Sequence, residues 1–398
     1  MKFFEDDSVQ NLVKSKHQHF DLVMAESSAW VAFAFAQKFN CPIIPIASQA
    51  CESRSYKSVG NPEAFFYTNV KMNKPLTLIE RVKQVLLLYT CMGFYYWSRL
   101  GTMEVITKNF GTDYANVEKL FERTSVLFEN TNNAMHPIRA LVPGVVQVGG
   151  LNLYGNNPHI SEDLQRVLDN ATNGFIYVSL GTVVNDDEVS AQMFLETFKE
   201  LPCTILWKTD NQTLDNVPNH VHTSKWFPQL NILKHKNIKL FITQGGALSI
   251  DEGIYNEVPM IGIPVYLDQF VNCDKIEELG IGLRLYRKSL HKRLFKNRIL
   301  EVFQNLSYKQ NIVKLNKLVR DQPQTPLDKA VFWTEYVIRH KGASHLKSPM
   351  ANLPFYQYYL LDVIAVVLFL LLLFLYFLKQ IITILKYAYT PVIKTKMI

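Results

Sequence analysis

The sequence lacks the closely spaced cysteines that mark a structural zinc site or a redox pair. No Cys-x-x-Cys motif occurs in its 398 residues, and the number of cysteines is odd. The spacings are wide, which excludes the usual zinc and dithiol patterns. We therefore expect most of these side chains to be small buried hydrophobic groups. The five cysteines are Cys41, Cys51, Cys91, Cys203 and Cys273.

The sequence also lacks a dense run of charge of one sign. The formal net charge is +7, and Lys and Arg are scattered apart from small clusters such as residues 284–296 and the tail. A nucleic-acid-binding protein would carry a denser and more one-sided basic stripe. We expect a mixed solvated surface with basic flanks beside a membrane, and no nucleic-acid partner.

Common nucleotide and metal motifs are missing as well. There is no P-loop, no His-Glu-x-x-His and no calcium-binding loop, and Gly280-Ile281-Gly282 lacks the third glycine of a dinucleotide fingerprint. The sequence therefore implies no resident cofactor and no metal.

The segment from Trp226 to Gln269 carries the strongest functional pattern in the chain. A short apolar strand, Lys239 to Ile242, runs into Gly245-Gly246, and a helix is predicted from Ala247. Glycines allow a ligand to approach the backbone closely. The free N–H groups and the positive end of the helix dipole favour an anion such as a phosphate.

Neighbouring polar groups support an anion site at this turn. The amide of Gln244 can donate to a phosphate oxygen and Ser249 can add a hydroxyl, while Gly181 and Thr182 end an earlier strand at the same crevice. The alternative is an ordinary helix cap with no ligand.

The pattern resembles the UDP-glycosyltransferase family, the membrane-bound detoxifying transferases of animals. The resemblance rests on the motif just described and extends from about Phe20 to the end. Gln244 stands where vertebrate members usually have His, which is typical of arthropod members. Further segments that resemble the family are Phe175-Ile176-Tyr177-Val178-Ser179-Leu180-Gly181-Thr182, Leu327-Asp328-Lys329-Ala330-Val331-Phe332-Trp333 and Arg339-His340-Lys341-Gly342-Ala343.

The resemblance implies a role for several residues in binding a UDP-sugar, which is a co-substrate and not a cofactor. Trp226 would stack on uracil and Gln229 would hydrogen-bond it, while Glu252 would take the ribose hydroxyls. Asp268 and Gln269 would hold the sugar. Alternatively, Trp226 is a core aromatic and Asp268 is a helix cap.

The catalytic half of the site is less complete. Members of the family use a His base oriented by an acidic residue, and the acidic position aligns with Glu26. The alternative for Glu26 is a solvated carboxylate at a strand end. The base itself is expected upstream of Met1, since His17 and His19 do not match its place. Arg123 resembles a basic residue that reaches the donor phosphates or sugar in relatives.

Strands and helices alternate in both halves of the chain, which predicts parallel sheets in an α/β fold. By resemblance, the fold is GT-B, with two facing Rossmann-like, doubly wound domains. The helices near 307–320 and 328–339 would pack back across the first domain. The predicted parts are an acceptor-binding domain (1–150), a donor-binding domain (151–330), a helix with a membrane-proximal linker (331–357), a transmembrane helix (358–379) and a basic cytoplasmic tail (380–398).

Two apolar helical stretches leave alternatives open. Residues 360–378 are long enough for a bilayer core, and the lysines that follow place the tail in the cytoplasm. The alternative is a buried core helix. Residues 75–101 could cover the acceptor pocket, lie on the membrane surface or pack in a core.

These observations predict a single-pass type I protein of the endoplasmic reticulum membrane with lumenal domains. The terminal Lys394-Thr395-Lys396-Met397-Ile398 resembles a dilysine retrieval signal, or else reflects chance lysines. The start has no apolar signal-peptide core, so we expect a chain that lacks its original amino terminus.

The predicted reaction transfers a hexosyl group, glucose before glucuronic acid, from a UDP-sugar to a hydroxyl of a small lipophilic acceptor with inversion. The alternative is a truncated, non-catalytic form that binds UDP-sugar or a full-length partner at the membrane. Membrane lipid is an expected partner, and homo- or hetero-oligomers are compatible with either reading.

Overall fold

The computed structural model divides into two compact units, Met1–Lys347 and Ser348–Ile398, and each is described by itself. The residues that the structure describes are 2–62, 77–136, 138–155, 158–180, 188–210, 215–266 and 268–394.

The first sheet has four parallel strands in sequential order, β1-β2-β3-β4. Helices separate the first three of these strands along the chain, as the predicted strand–helix–strand alternation requires. In chain order the elements are α1 (Asp7–Lys14), β1 (Val23–Glu26), α2 (Trp30–Lys38), β2 (Ile43–Ala47), α3 (Ser53–Ser58), α4 (Leu78–Phe110), α5 (Val117–Glu122), β3 (Leu127–Glu129) and β4 (Val145–Gln147).

The second sheet has six parallel strands in the order β10-β9-β8-β5-β6-β7. The order reverses between β5 and β8, which is the switch point of a Rossmann sheet. Its elements are α6 (Glu162–Asn170), β5 (Phe175–Ser179), α7 (Glu188–Phe198), β6 (Thr204–Lys208), β7 (Val221–Ser224), α8 (Gln229–Leu233), β8 (Ile238–Thr243), α9 (Ala247–Tyr255), β9 (Met260–Gly262), α10 (Asp268–Glu278), β10 (Gly282–Arg284), α11 (Lys292–Gln304), α12 (Leu306–Arg320) and α13 (Pro326–Arg339).

The central strand β5 is buried on both faces. Phe175 and Tyr177 enter one hydrophobic core, and Ile176 and Val178 enter the other. Successive side chains of a strand point to opposite faces, so a continuous apolar run is what a doubly covered parallel sheet needs. The predicted α/β, GT-B type of fold, with parallel sheets in two α/β domains, is confirmed, and the second sheet has the doubly wound strand order.

Several element boundaries differ from the prediction. The predicted strand over 20–25 begins only at Val23, and the last predicted strand, β9, is followed by an unpredicted short strand, β10. Helix α10 begins at Asp268 instead of Phe270, and α6 was not predicted. Short edge elements carry too few residues to show a clear period.

The predicted return of two helices to the first domain is correct for only one of them. Ala330 and Val337 of α13 pack with Phe128 and Val146 of the first sheet. Helix α12 instead buries Ile312 and its neighbours in the core of the second sheet, against α9. Both helices have an apolar stripe, and an apolar stripe by itself does not say which surface it covers.

A buried polar contact joins the two sheets. Asn130, just after β3, donates from Nδ2 to Oδ2 of Asp251 on α9 at 2.8 Å, and its Oδ1 accepts from the N–H of Gly150 at 2.8 Å. Tyr255, one turn further along α9, donates to the carbonyl of Gly149 at 3.2 Å. Helix α9 is therefore tied both to the first sheet and to the connection between the domains.

Helix α4 stands largely exposed over its first two turns and beyond. Ile79, Phe94 and Trp97 are each more than 60% exposed, whereas Ile106 near its end is fully buried. The core-packing alternative for the predicted 75–101 helix is therefore wrong for this part, and α4 continues to Phe110.

The second unit contains α14 (Phe355–Tyr358) and α15 (Leu361–Lys394). Within the described residues, one helix is long and apolar enough to cross a membrane, over Leu361–Ala388, and none of its apolar window is buried. The buried-core alternative is therefore not supported. The helix continues well past residue 379, where the predicted span ends.

Asp251 makes the stability of the fold depend on pH. Burial raises its pKa to about 7; the hydrogen bond from Asn130 opposes the rise and the nearby Glu252 adds to it. Because the folded state holds this proton more tightly than the unfolded chain, the contribution is complete below about pH 4 and is lost as pH rises to about 7. We expect Asp251→Asn, which keeps an acceptor for Asn130, to show a smaller fall in melting temperature between pH 5 and pH 8 than the parent. An equal fall in both proteins would contradict this assignment.

Candidate functional site

A cleft of about 340 Å³ opens at the carboxyl ends of β5 and β8, where the strand order reverses. Ligands of doubly wound sheets bind at this position. The residues that line it lie on β5, β6, α8, α9 and the connecting loops: Pro158, Tyr177, Ser179, Lys208, Trp226, Phe227, Pro228, Gln229, Leu230, Asn231, Gln244, Ser249 and Glu252.

A second cavity of about 320 Å³ lies at the opposite, amino-terminal edge of the same sheet, next to Gly174 and Thr204. Among the described residues that line it, the ionisable groups are Cys203 and His220. It is away from the switch point, so the first cleft is the candidate site.

The turn after β8 places the amino end of α9 in the cleft. Gly245 has φ +87°, in the left-handed region, and its N–H donates to Oγ1 of Thr243 at 3.2 Å. A Cβ at this position would lie 2.3 Å from Sγ of Cys273. Gly246 is the N-cap and offers no side-chain acceptor to the first turn. The first N–H groups of α9 are therefore left for solvent or an anion.

Gln244 presents an unsatisfied polar atom at this turn. Its Oε1 is buried and has no hydrogen-bond partner within the described part of the chain. The oxygen and nitrogen of an amide can exchange places by a flip, so the same position can offer either an acceptor or a donor. Buried polar atoms are normally bonded, and an unsatisfied one in a cleft indicates a ligand contact.

Glu252, Gln229 and Ser249 form one hydrogen-bonded group in the cleft. Gln229 donates from Nε2 to Oε2 of Glu252 at 2.7 Å and to Oγ of Ser249 at 3.2 Å. Ser249 and Glu252 are three residues apart and share one face of α9. Burial raises the pKa of Glu252, and the hydrogen bond from Gln229 opposes the rise. The amide thus holds one carboxylate oxygen in place beside the cleft.

Trp226 lies at the mouth of the cleft with 55% of its surface exposed. It follows β7, and its backbone is held by Ser224, whose Oγ donates to its carbonyl at 2.9 Å. The alternative of a core aromatic is therefore wrong. An exposed flat ring beside a polar cleft is suited to stack on a planar group.

Asp268 and Gln269 begin α10 and are held differently. Oδ2 of Asp268 accepts from Nε2 of Gln49 at 3.1 Å and from Nδ2 of Asn272 at 3.0 Å. Oε1 of Gln269 accepts from the backbone N–H groups of Val265 and Tyr266, at 2.9 Å each. The amide oxygen of Gln269 is thus engaged by its own loop, which leaves only its NH₂ for a sugar. Asp268 is the first residue of α10.

Two of the predicted donor residues, Gly181 and Thr182, lie outside the described residues. Ser179, two positions earlier at the end of β5, lines the cleft. The strand therefore points toward the site as predicted.

Glu26 and Arg123 lie apart from the donor cleft. Glu26 ends β1 at the carboxyl edge of the first sheet; partial burial raises its pKa and a hydrogen bond with Ser27 opposes the rise. Arg123 is at the amino edge, because its carbonyl accepts from the first residue of β2, Ile43, at 3.0 Å. Its guanidinium donates to Oδ1 of Asn40 at 2.7 Å. The structure does not bring Arg123 to the other site residues.

Four residues of the site were missed in the sequence. Lys208 lines the cleft from the end of β6, and a strand-end position was the available signal. Gln49, Asn130 and Asn272 act through contacts across domains or along α10. Gln49 and Asn130 carry no local pattern, since their contacts depend on the fold, whereas Asn272 lies four residues after Asp268 on α10.

Parallel sheets in two α/β domains, with a cleft at the switch point of the second sheet, are the architecture of the GT-B class. The sequence model of the family described as UDP-glucoronosyl and UDP-glucosyl transferase matches residues 4–397. The chain belongs to this family of UDP-glycosyltransferases.

Similar proteins come from insects, viruses and humans. UDP-glucosyltransferase 2 of Dactylopius coccus is 36% identical over 376 residues, which cover 92% of this chain and 72% of that protein. The ecdysteroid UDP-glucosyltransferase of Spodoptera littoralis nuclear polyhedrosis virus is 33% identical, with 91% and 73% covered. Human UDP-glucuronosyltransferase 2B10 is 32% identical, with 92% and 71% covered.

Solved structures agree on the fold. A spinosyn forosaminyltransferase superposes with a TM-score of 0.58 at 12% identity, over 84% of this chain and 79% of its own. The glycotransferase of kitacinnamycin superposes with a TM-score of 0.53 at 16% identity, over 79% and 76%.

The two glycines of the turn are expected to differ sharply in tolerance. Gly245→Ala should lower the melting temperature, because its Cβ meets Cys273 and its left-handed backbone costs about 1–2 kcal/mol for other residues. Gly246→Ala is the matched control, since its nearest neighbour would be Nε2 of Gln244 at 3.8 Å. Thermal unfolding of both variants checks this. Equal melting temperatures would show that the turn is not constrained as described.

Proposed function

We propose that the chain binds UDP-glucose in the cleft at the switch point and transfers glucose, with inversion, to a hydroxyl of a small lipophilic acceptor. The observation that carries the proposal is the single polar group formed by Gln229, Glu252 and Ser249 next to the unsatisfied amide of Gln244. Helix α9 therefore carries the Glu252 carboxylate and begins directly after the glycine turn that would bind phosphate.

The uridine end would be held at the outer part of the cleft. Trp226 offers its exposed face to the uracil ring, and Gln229 lies close enough in the same wall to reach its polar edge. Glu252 would accept hydrogen bonds from the neighbouring ribose hydroxyls, because an ionised carboxylate has acceptor capacity beyond the bond it takes from Gln229.

The diphosphate would lie over the amino end of α9. The first N–H groups of the helix and the amide of Gln244 supply donors, and Lys208 supplies a positive charge from β6. These groups would also stabilise UDP as the leaving group, since its negative charge grows as the glycosidic bond breaks.

The sugar would then extend toward α10, where Asp268 presents its carboxylate and Gln269 its NH₂. Glucose is favoured over glucuronic acid because relatives named as glucosyltransferases are among the most similar. Inversion would follow from direct attack by the acceptor hydroxyl on the face opposite UDP. We propose Glu26 as the acidic residue that would orient a base.

A second candidate is a donor-binding protein without transfer activity of its own, which holds UDP-sugar or a full-length partner at the membrane. It is favoured by one observation. None of the described residues that line the cleft is a histidine. A base is needed to take the proton from the acceptor hydroxyl.

We propose that α15 anchors the protein in the endoplasmic reticulum membrane as a single-pass type I protein, with lipid around the helix and the α/β domains in the lumen. Support comes from the exposed apolar surface of α15 and from glycosylation sequons at the exposed Asn170 and Asn305. Homo- or hetero-oligomers are compatible with this arrangement.

Removal of the Glu252 carboxylate is expected to weaken donor binding. Glu252→Ala should weaken both UDP and UDP-glucose about tenfold or more, because hydrogen bonds to a charged group contribute about 1.5–3 kcal/mol. Titration calorimetry of the full chain in lipid nanodiscs measures both affinities. Glu278→Ala, which removes a surface ion pair with Lys275, is the matched control. Unchanged affinity in Glu252→Ala would overturn the ribose assignment.

Transfer and orientation are tested together in microsomes that contain the full chain. With labelled UDP-glucose and a panel of lipophilic alcohols and phenols, we expect glucoside product that rises several-fold once detergent opens the vesicles, since a lumenal site is closed to the added donor. Product without permeabilisation would contradict the lumenal orientation. Donor binding with no product from any acceptor would contradict transfer activity and support the second candidate, a donor-binding protein.

A further inference from the structure

Two amide side chains converge on one oxygen of Asp268. Nε2 of Gln49 donates to Oδ2 at 3.1 Å, and Nδ2 of Asn272 donates to the same oxygen at 3.0 Å. Gln49 follows β2 of the first sheet, whereas Asp268 and Asn272 lie on α10 of the second. The first bond therefore crosses from one α/β domain to the other.

Asn272 continues the chain of contacts to the phosphate-binding turn. Its Nδ2 also donates to the carbonyl of Gly245 at 3.0 Å. Asp268 and Asn272 are four residues apart, so they face the same side of α10. Gln49, Asp268, Asn272 and Gly245 thus form a connected series that runs from the first domain to the turn before α9.

The series fixes the orientation of the Asp268 carboxylate. A carboxylate oxygen has about two acceptor directions, and two amide donors occupy those of Oδ2. The remaining oxygen, Oδ1, carries no such bond within the described part of the chain. A carboxylate held by one oxygen keeps the other in a defined direction, which is the requirement for reading a sugar hydroxyl.

We propose that Gln49 is a positioning residue for the donor sugar, contributed by the opposite domain. It holds Asp268 so that Oδ1 accepts from the sugar hydroxyls, and Asn272 links that orientation to the phosphate turn. The inference rests on the proposed function. It adds that recognition of the sugar, unlike recognition of UDP, depends on the seating of the first domain against the second.

Gln49→Ala should weaken recognition of the sugar without weakening recognition of the nucleotide. In the full chain in nanodiscs, titration calorimetry should show UDP-glucose binding weakened about fivefold to tenfold and UDP binding unchanged, because UDP has no sugar for Asp268 to hold. Gln165→Ala is the matched control. It removes an amide-to-carboxylate bond to Asp169 of the same 3.1 Å length on the exposed face of α6.

Gln49→Glu is a second test, because its expected pH dependence would not arise from a structural defect. At pH 7.5 two ionised carboxylates face each other, and the loss of UDP-glucose affinity should exceed that of Gln49→Ala. At lower pH the introduced carboxyl takes up a proton more readily, because a like charge beside it disfavours its ionised form. The protonated carboxyl can then donate to Asp268, so the ratio of UDP-glucose to UDP affinity should recover toward that of the parent.

The outcomes separate this inference from the proposed function. If the parent binds UDP-glucose and Gln49→Ala either leaves both affinities unchanged or weakens both equally, the positioning role is wrong and the donor site stands. If the parent itself binds neither UDP-glucose nor UDP, the proposed function fails, and the inference fails with it.

Discussion

The site depends on one close contact, between Sγ of Cys273 and two glycine backbones. A Cβ on Gly245 or on Gly262 would lie 2.3 Å from that sulfur. Helix α10 can therefore approach both β8 and β9 at a distance that no larger residue would allow. This approach sets the start of α10, with Asp268, beside the start of α9, with its free N–H groups. The proposed sugar-binding residue Asp268 and the proposed phosphate-binding turn are therefore positioned by the same packing.

Asp251 and Glu252 are neighbours on α9, but their side chains have different surroundings. Asp251 is 3% exposed and bonds Asn130 of the first domain, while Glu252 faces the cleft and is held by Gln229. Successive residues of a helix point about 100° apart, so one turn can serve both purposes. Asp251 can therefore join the two domains while its neighbour Glu252 faces the cleft.

The donor cleft was largely readable from the sequence, because its elements are local. A short apolar strand, a glycine pair and a helix start follow one another within ten residues, and Trp226, Gln229 and Glu252 lie in the same stretch. Their meeting in one cleft is confirmed by the structure. The role of each toward a ligand stays a prediction. Gln269 shows the limit, since its amide oxygen is used by the backbone of Val265 and Tyr266.

The sequence by itself determined the α/β class, the parallel sheets, the turn before α9 and the apolar carboxy-terminal helix, because each depends on the order and period of nearby residues. Only the tertiary structure decided which surfaces those elements meet. It placed Arg123 at the amino-terminal edge of the first sheet, α12 on the second domain, and Gln49 of the first domain against Asp268 of the second. Contacts between residues 219 positions apart, such as Gln49 and Asp268, leave no local pattern, since they arise only when two separately formed sheets pack together.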